Sequence, residues 1–250
     1  MAIWPNLVNP PIILCAMEVR YKSQIDFSSS ILKSHDTFLQ DLFPVRKENF
    51  EGNIHLPNPT EGIATAQVSS KQVGYTFMNV EKKQRLIVSN EAITFIIDDK
   101  YPGWNSFYQQ CVNLYEHFES FLKGNIGRVS LRYINKLTLP QVESIETYFK
   151  IGISAQEGVI TVPLTSYFIK YGLNYDEDNI NANIIQSLAE REEGNFTFIF
   201  DIDVAKQVNT EVLKPIFETF LSDLRTIKNE IFFKSLTNQT LNYYETIIDD

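Results

Sequence analysis

The stretch Arg128–Pro140, RVSLRYINKLTLP, constrains the fold of this chain more than any other part of it. Apolar and polar side chains alternate along it, and a period of two marks a long strand with distinct faces. The alternation sends Val129, Leu131, Tyr133 and Asn135 to one side. Ser130, Arg132, Ile134 and Lys136 go to the other. An arginine, a tyrosine and an asparagine are thereby held in a strand that otherwise reads as core, which implies fixed polar contacts for Arg132, Tyr133 and Asn135.

The flanks of this strand define the rest of the architecture. Pro5, Pro10 and Pro11 keep the first residues extended, and the apolar run over Ile12–Tyr21 reads as a strand inside a sheet. A helix is expected over Ser28–Leu42, closed by Pro44. A strand over Asn49–Leu56, a weaker one over Ile63–Val68, and three short ones over Val73–Val80, Arg85–Ser89 and Ala92–Asp98 form an antiparallel meander. The break Tyr101-Pro102-Gly103-Trp104 opens a helix to about Lys123, with Phe107, Cys111, Leu114, Tyr115, Phe118 and Leu122 at helical spacing.

After the central strand the scheme recurs in shorter form. A short helix is expected over Glu143–Phe149, then strands over Leu164–Asn174, Asn183–Glu190 and Asn195–Asp203. A helix over Asn209–Lys234 carries Leu213, Ile216, Phe217, Phe220, Leu224, Ile227 and Ile231 on one stripe, and Ser235–Tyr244 suits a further turn or short helix. This order specifies an α+β fold, a curved antiparallel sheet or sheets packed on long helices. It divides into halves at 1–127 and 128–250, which could equally be one continuous domain; residue-level self-similarity between them is absent.

The chain has 250 residues, 44% hydrophobic and 21% charged, enough for a substantial core and too apolar for disorder. A net charge of −9 and no basic run longer than Lys82-Lys83 argue against a nucleic-acid footprint. No apolar run is long enough to span a bilayer, and the N-terminus lacks the pattern of a signal peptide. Cys15 and Cys111 sit in apolar settings and read as buried thiols of a reducing compartment, so a cytoplasmic protein is expected.

Catalytic signatures are lacking. His35, His55 and His117 have no zinc-ligand spacing, neither cysteine has a nucleophile signature, and the 10 glycines are dispersed. The sequence therefore leans against an enzyme and implies no metal and no cofactor. Asp98-Asp99 and Asp176-Glu177-Asp178 fall at turns. Asp201 and Asp203 share a strand face, as the solvent side of an edge strand or as part of a cation site awaiting a third ligand.

Arg128, Arg132, Tyr133, Asn135, Tyr101 and Trp104 are the candidate contact residues. Two readings stand side by side. In one, Arg132 and its neighbours line a polar pocket under a long helix and grip an anionic or planar ligand by a bidentate fork. In the other, Arg132 pairs with a carboxylate such as Glu18, Tyr133 fills core, Asn135 satisfies a strand end and Trp104 anchors its helix to the sheet.

A family resemblance rests on several motifs: NPPI (Asn9–Ile12), a helix ending in Phe43-Pro44, GYTF (Gly74–Phe77), Tyr101 with Trp104, LRYIN (Leu131–Asn135) after Arg128, and the close IFFKSLTNQTLNYY. Together they resemble a sporadically distributed prokaryotic protein family of about this length whose function is uncharacterised. The resemblance spans nearly the whole chain and implies a setting in defence or toxin–antitoxin loci. It supplies no reaction and no catalytic residue. The expected function is a non-enzymatic binding or assembly subunit acting through a protein partner or as a homo-oligomer. The alternative is a small-ligand sensor with its pocket between sheet and helix.

Overall fold

The computed structural model describes residues 4–22, 36–55, 67–140, 144–151, 165–175, 178–192, 194–244 and 246–247. Along the chain these form β1 (Asn6–Leu7), β2 (Ile12–Tyr21), α1 (Asp36–Leu42), β3 (Val45–His55), β4 (Gln67–Asn79), β5 (Gln84–Ser89), β6 (Ala92–Ile97), α2 (Trp104–Leu122) and β7 (Ile126–Pro140). A 3-10 turn over Ile145–Thr147 leads to β8 (Phe168–Tyr175), β9 (Ile180–Glu192), β10 (Asn195–Gln207), α3 (Lys214–Ser235), α4 (Asn238–Asn242) and β11 (Thr246–Ile247).

Nine strands make one open antiparallel sheet in the order β3-β4-β5-β6-β2-β7-β10-β9-β8. Five come from before residue 126 and four from Ile126 onward, and they meet where β2 pairs with β7. The two sides repeat one plan. On the first, β2 is paired by β6, the last strand of a meander that runs outward to β3. On the second, β7 is paired by β10, the last strand of a meander that runs outward to β8. A helix follows each meander, α2 after β6 and α3 after β10. β1 and β11 form a separate two-stranded pairing that ties the ends of the chain together.

The alternation of the central strand is the alternation of the core. Val129, Leu131, Tyr133, Leu137 and Leu139 are wholly buried on one face of β7. Their register partners continue that face, with Cys15 and Ile202 opposite Tyr133 and Met17 and Val204 opposite Leu131. The two helices of 19 and 22 residues cover it. Phe107 of α2 stacks on Phe95 of β6 at 6.0 Å, and Phe232 of α3 lies 6.2 Å from Phe200 of β10. The helices run antiparallel, since Tyr115 stacks on Phe217 at 4.0 Å while Arg225, farther along α3, meets Trp104 at the start of α2. Truncating a side chain as enclosed as Leu131 to alanine costs about 2–5 kcal/mol.

Some elements differ from their sequence reading, each for a local reason. α3 begins at Lys214 rather than Asn209, with Pro215 in its first turn, where a missing N–H costs nothing. Its buried stripe is Phe217, Leu221, Leu224, Lys228, Ile231 and Phe232, whereas Ile216 is exposed. Of the helix expected over Glu143–Phe149, Ile145–Thr147 form only a 3-10 turn and Phe149 bridges to Leu236, while Glu143 lies outside the described residues. β4 is one strand of 13 residues reaching back to Gln67; residues 28–35 of the expected first helix and 63–66 of the weak strand lie outside the described residues. Gly74 of the GYTF motif is required by close approach, because a Cβ there would stand 2.3 Å from the Val88 carbonyl oxygen.

Candidate functional site

The two faces of β7 treat its polar residues differently. Arg128 and Arg132 project away from the helices, onto the face that also carries Glu18, Asp201 and Asp203. Arg132 grips Asp201 with both ends of its guanidinium, Nε at 3.0 Å and Nη2 at 2.6 Å. Arg128 bridges two strands, donating to Glu18 of β2 at 2.7 Å and to Asp203 of β10 at 2.9 Å. Glu18 also accepts from Arg20 at 3.0 Å. The expected Arg132–Glu18 pair is thus replaced by Arg132–Asp201, and Glu18 belongs to Arg128.

This arrangement corrects two further expectations. Arg132 does not line a pocket under a helix, because it occupies the opposite face of the sheet. Asp201 and Asp203 are not on an edge strand, since β10 lies between β7 and β9 and Asp201 is buried. Both carboxylates are already held by guanidinium groups. Burial nevertheless pushes the Asp203 carboxyl up from its ordinary range, with Arg128 opposing. Among the described residues no cluster of three or more potential metal ligands occurs.

Tyr133 and Asn135 face the helices. Tyr133 is wholly buried, edge-on to Phe107 at 6.0 Å and to Tyr101 at 5.8 Å, and burial pushes its hydroxyl well above the usual range. Asn135 donates from Nδ2 to the Phe200 carbonyl at 2.9 Å. Trp104 opens α2 beside Phe107 and Tyr108. Its preceding residue, Gly103, has φ +86°, a left-handed conformation that glycine adopts without strain.

Next to these residues lies a cleft of about 390 Å³. One wall is the Pro-rich N-terminal segment, through Pro5, Leu7, Val8, Pro10, Pro11 and Ile12. A second is the 100–104 break, and Asn135 of β7 contributes from the sheet. α3 supplies Arg225, Lys228, Asn229, Phe232 and Phe233. The proline run that rules out a helix at the N-terminus therefore builds a rigid wall, and Trp4 stacks on Phe233 at 5.6 Å to seat it.

Two cations on successive turns of α3 dominate this cleft. The Arg225 guanidinium carbon lies 4.8 Å from the centroid of the Trp104 ring, and Lys228 Nζ 4.2 Å from that of Tyr133. Neither has a carboxylate partner among the described residues, and Lys228 is 9% exposed. Burial, then Arg225, depress the Lys228 ammonium to about 7, while Cys15 opposes. The same burial pushes the Cys15 thiol up to about 12. Cys15 and Cys111 are both buried and free.

Of the six sequence-derived candidates, Tyr101, Trp104 and Asn135 line the cleft, Tyr133 underlies Lys228, and Arg128 and Arg132 lie on the other face. Arg225 and Lys228 were not among them. The available signal was a lysine four residues after Leu224 and three before Ile231, inside an apolar stripe. The remaining histidine with a described side chain, His117, stacks on Phe38 at 4.1 Å; the side chains of His35 and His55 lie outside the described residues. No family model, no curated protein and no solved structure matches this chain. No helix among the described residues is long and apolar enough to cross a membrane.

Proposed function

We propose that this protein binds a small anionic molecule with a planar or apolar body in the cleft between α3, the N-terminal segment and the 100–104 break. One observation carries the reading. In a chain of net charge −9, the cleft is lined by Lys100, Arg225 and Lys228 and, among the described residues, by no carboxylate. Cations left unpaired in a low-dielectric recess attract an anion far more strongly than the same groups on a wet surface. Trp104 and Phe232 offer flat apolar area, and about 390 Å³ suits a small ligand.

The test is a panel of aromatic and aliphatic carboxylates with their uncharged amides, followed by ligand-observed NMR. Acids are expected to bind and amides not. Arg225→Gln is expected to weaken the acids roughly tenfold or more, the worth of a charge-assisted hydrogen bond. Equal binding of acids and amides, or binding by neither, overturns the reading.

A second reading, assembly through a protein partner, is favoured by the sheet edges. Phe50 on β3 and Phe168 on β8 are 58% and 67% exposed on the two outermost strands. Exposed strand edges with apolar side chains accept an added strand. On the family resemblance, that strand comes from the product of a neighbouring gene in a prokaryotic defence or toxin–antitoxin locus, or from a second copy. Phe168→Lys is expected to abolish association seen by light scattering on gentle size exclusion. A wild-type chain that elutes alone and monomeric removes this reading.

A further inference from the structure

We infer that Lys228 is a carbonyl-capturing amine: the cleft takes an oxo acid, Arg225 holds its carboxylate, and the Lys228 ε-amine joins its aldehyde or ketone carbon as a reversible imine. The inference rests on the cleft being an anion site and names the class of anion.

Four structural features converge on it. Lys228 is 9% exposed, lines the cleft, and has no acceptor among the described residues. Its Nζ lies 4.2 Å from the centroid of the Tyr133 ring, a buried aromatic that holds the side chain in place without giving it a counter-ion. Arg225 stands one turn earlier on the same helix and also lines the cleft, so one ligand can reach both. The facing groups from the other packed elements, Cys15 of β2 and Tyr133 of β7, stay protonated at neutral pH, since burial raises both. Nothing among them fixes the amine as an ammonium. A desolvated lysine beside a second cation is the environment that frees an amine for nucleophilic attack.

The step balances without a further reagent. The nitrogen lone pair of the neutral amine adds to the carbonyl carbon, and the π pair moves to oxygen. That oxygen takes up a proton and the nitrogen releases one, giving a carbinolamine. The hydroxyl takes a second proton and leaves as water while the nitrogen lone pair closes the C=N bond. The resulting iminium then returns a proton to solvent. One amine and one carbonyl give one imine and one water, and hydrolysis reverses it.

The full-length chain is incubated with 4-formylbenzoate and sodium cyanoborohydride, and the adduct is located by peptide mass mapping. The expected result is saturable, single-site labelling at Lys228. It is competed by 4-methylbenzoate, lost in Lys228→Met and slowed at least tenfold in Arg225→Gln. Measured relative to free Nα-acetyl-lysine, the labelling advantage should be largest at neutral pH and shrink toward pH 10 and above, where an ordinary lysine begins to lose its proton. Binding of 4-methylbenzoate alone, followed by NMR, separates the anion site from the imine. If it binds and no Lys228 adduct forms, the imine is wrong and the anion site stands. If neither occurs, both fall. Labelling scattered over surface lysines, or unchanged in Lys228→Met, also overturns the inference.

Discussion

Two pairs of basic side chains face away from each other across this protein. Arg128 and Arg132 on β7 are saturated: three carboxylates from β2 and β10 surround them at hydrogen-bond distance. Arg225 and Lys228 on α3 lie against aromatic rings and have no carboxylate partner among the described residues. The first pair stitches strands together, and its charges are spent within the fold. The second stands in a recess with no carboxylate among its described walls, so its charge remains available to something that enters. Basic residues alone therefore indicate nothing about binding; the location of their counter-charges decides.

That comparison can be broken most decisively at Lys228. In the unfolded chain this amine stays protonated at neutral pH, while in the fold its pKa falls to about 7. The fold therefore carries no penalty from it above the ordinary lysine range. The penalty grows as pH drops toward 7 and is constant below. Lys228→Met is expected to raise stability in urea by roughly 2–5 kcal/mol at pH 7, with the gain fading toward pH 10. A loss of stability would mean that the lysine has a partner after all.

The saturated pair should respond in the opposite sense. Arg132→Met strands the buried Asp201 carboxylate and is expected to cost about 1–3 kcal/mol, a buried-pair value discounted because Arg132 is half exposed. Ligand affinity should not change. Smaller still is the effect of Arg225→Gln on folding, less than about 1 kcal/mol, the worth of its contact with Trp104. Its cost falls on anion binding instead. The smallest effect concerns salt: raising ionic strength should weaken carboxylate binding at the cleft by only a few fold, since enclosed charges are poorly screened.

Much of the sheet was legible in residue order. The run over Ile12–Tyr21 is β2 with the same bounds, and the alternation along 128–140 names the buried face of β7 side chain by side chain. The break at Tyr101–Trp104 starts α2. Less of the site was legible. Arg132 drew attention because it interrupts a core strand, yet whether it points at a ligand or a neighbour depends on β10, 69 residues away in the chain. Lys228 drew none, because one lysine in an amphipathic helix ordinarily turns to water, even at a position between Leu224 and Ile231 of the apolar stripe.

By itself, then, the order of residues determined strand periodicity, helix spacing and the proline-stiffened entry, because these depend on neighbours a few positions apart. Only the tertiary structure decided that β2 and β7 join two similarly wired meanders into one sheet, that Asp201 and Asp203 answer the arginines of β7, and that the N-terminal segment closes a cleft over Arg225 and Lys228. Charge is compensated in space, not along the chain. A cation's role is set by which distant carboxylates the fold brings to it, and at Lys228 the fold brings none from the described residues.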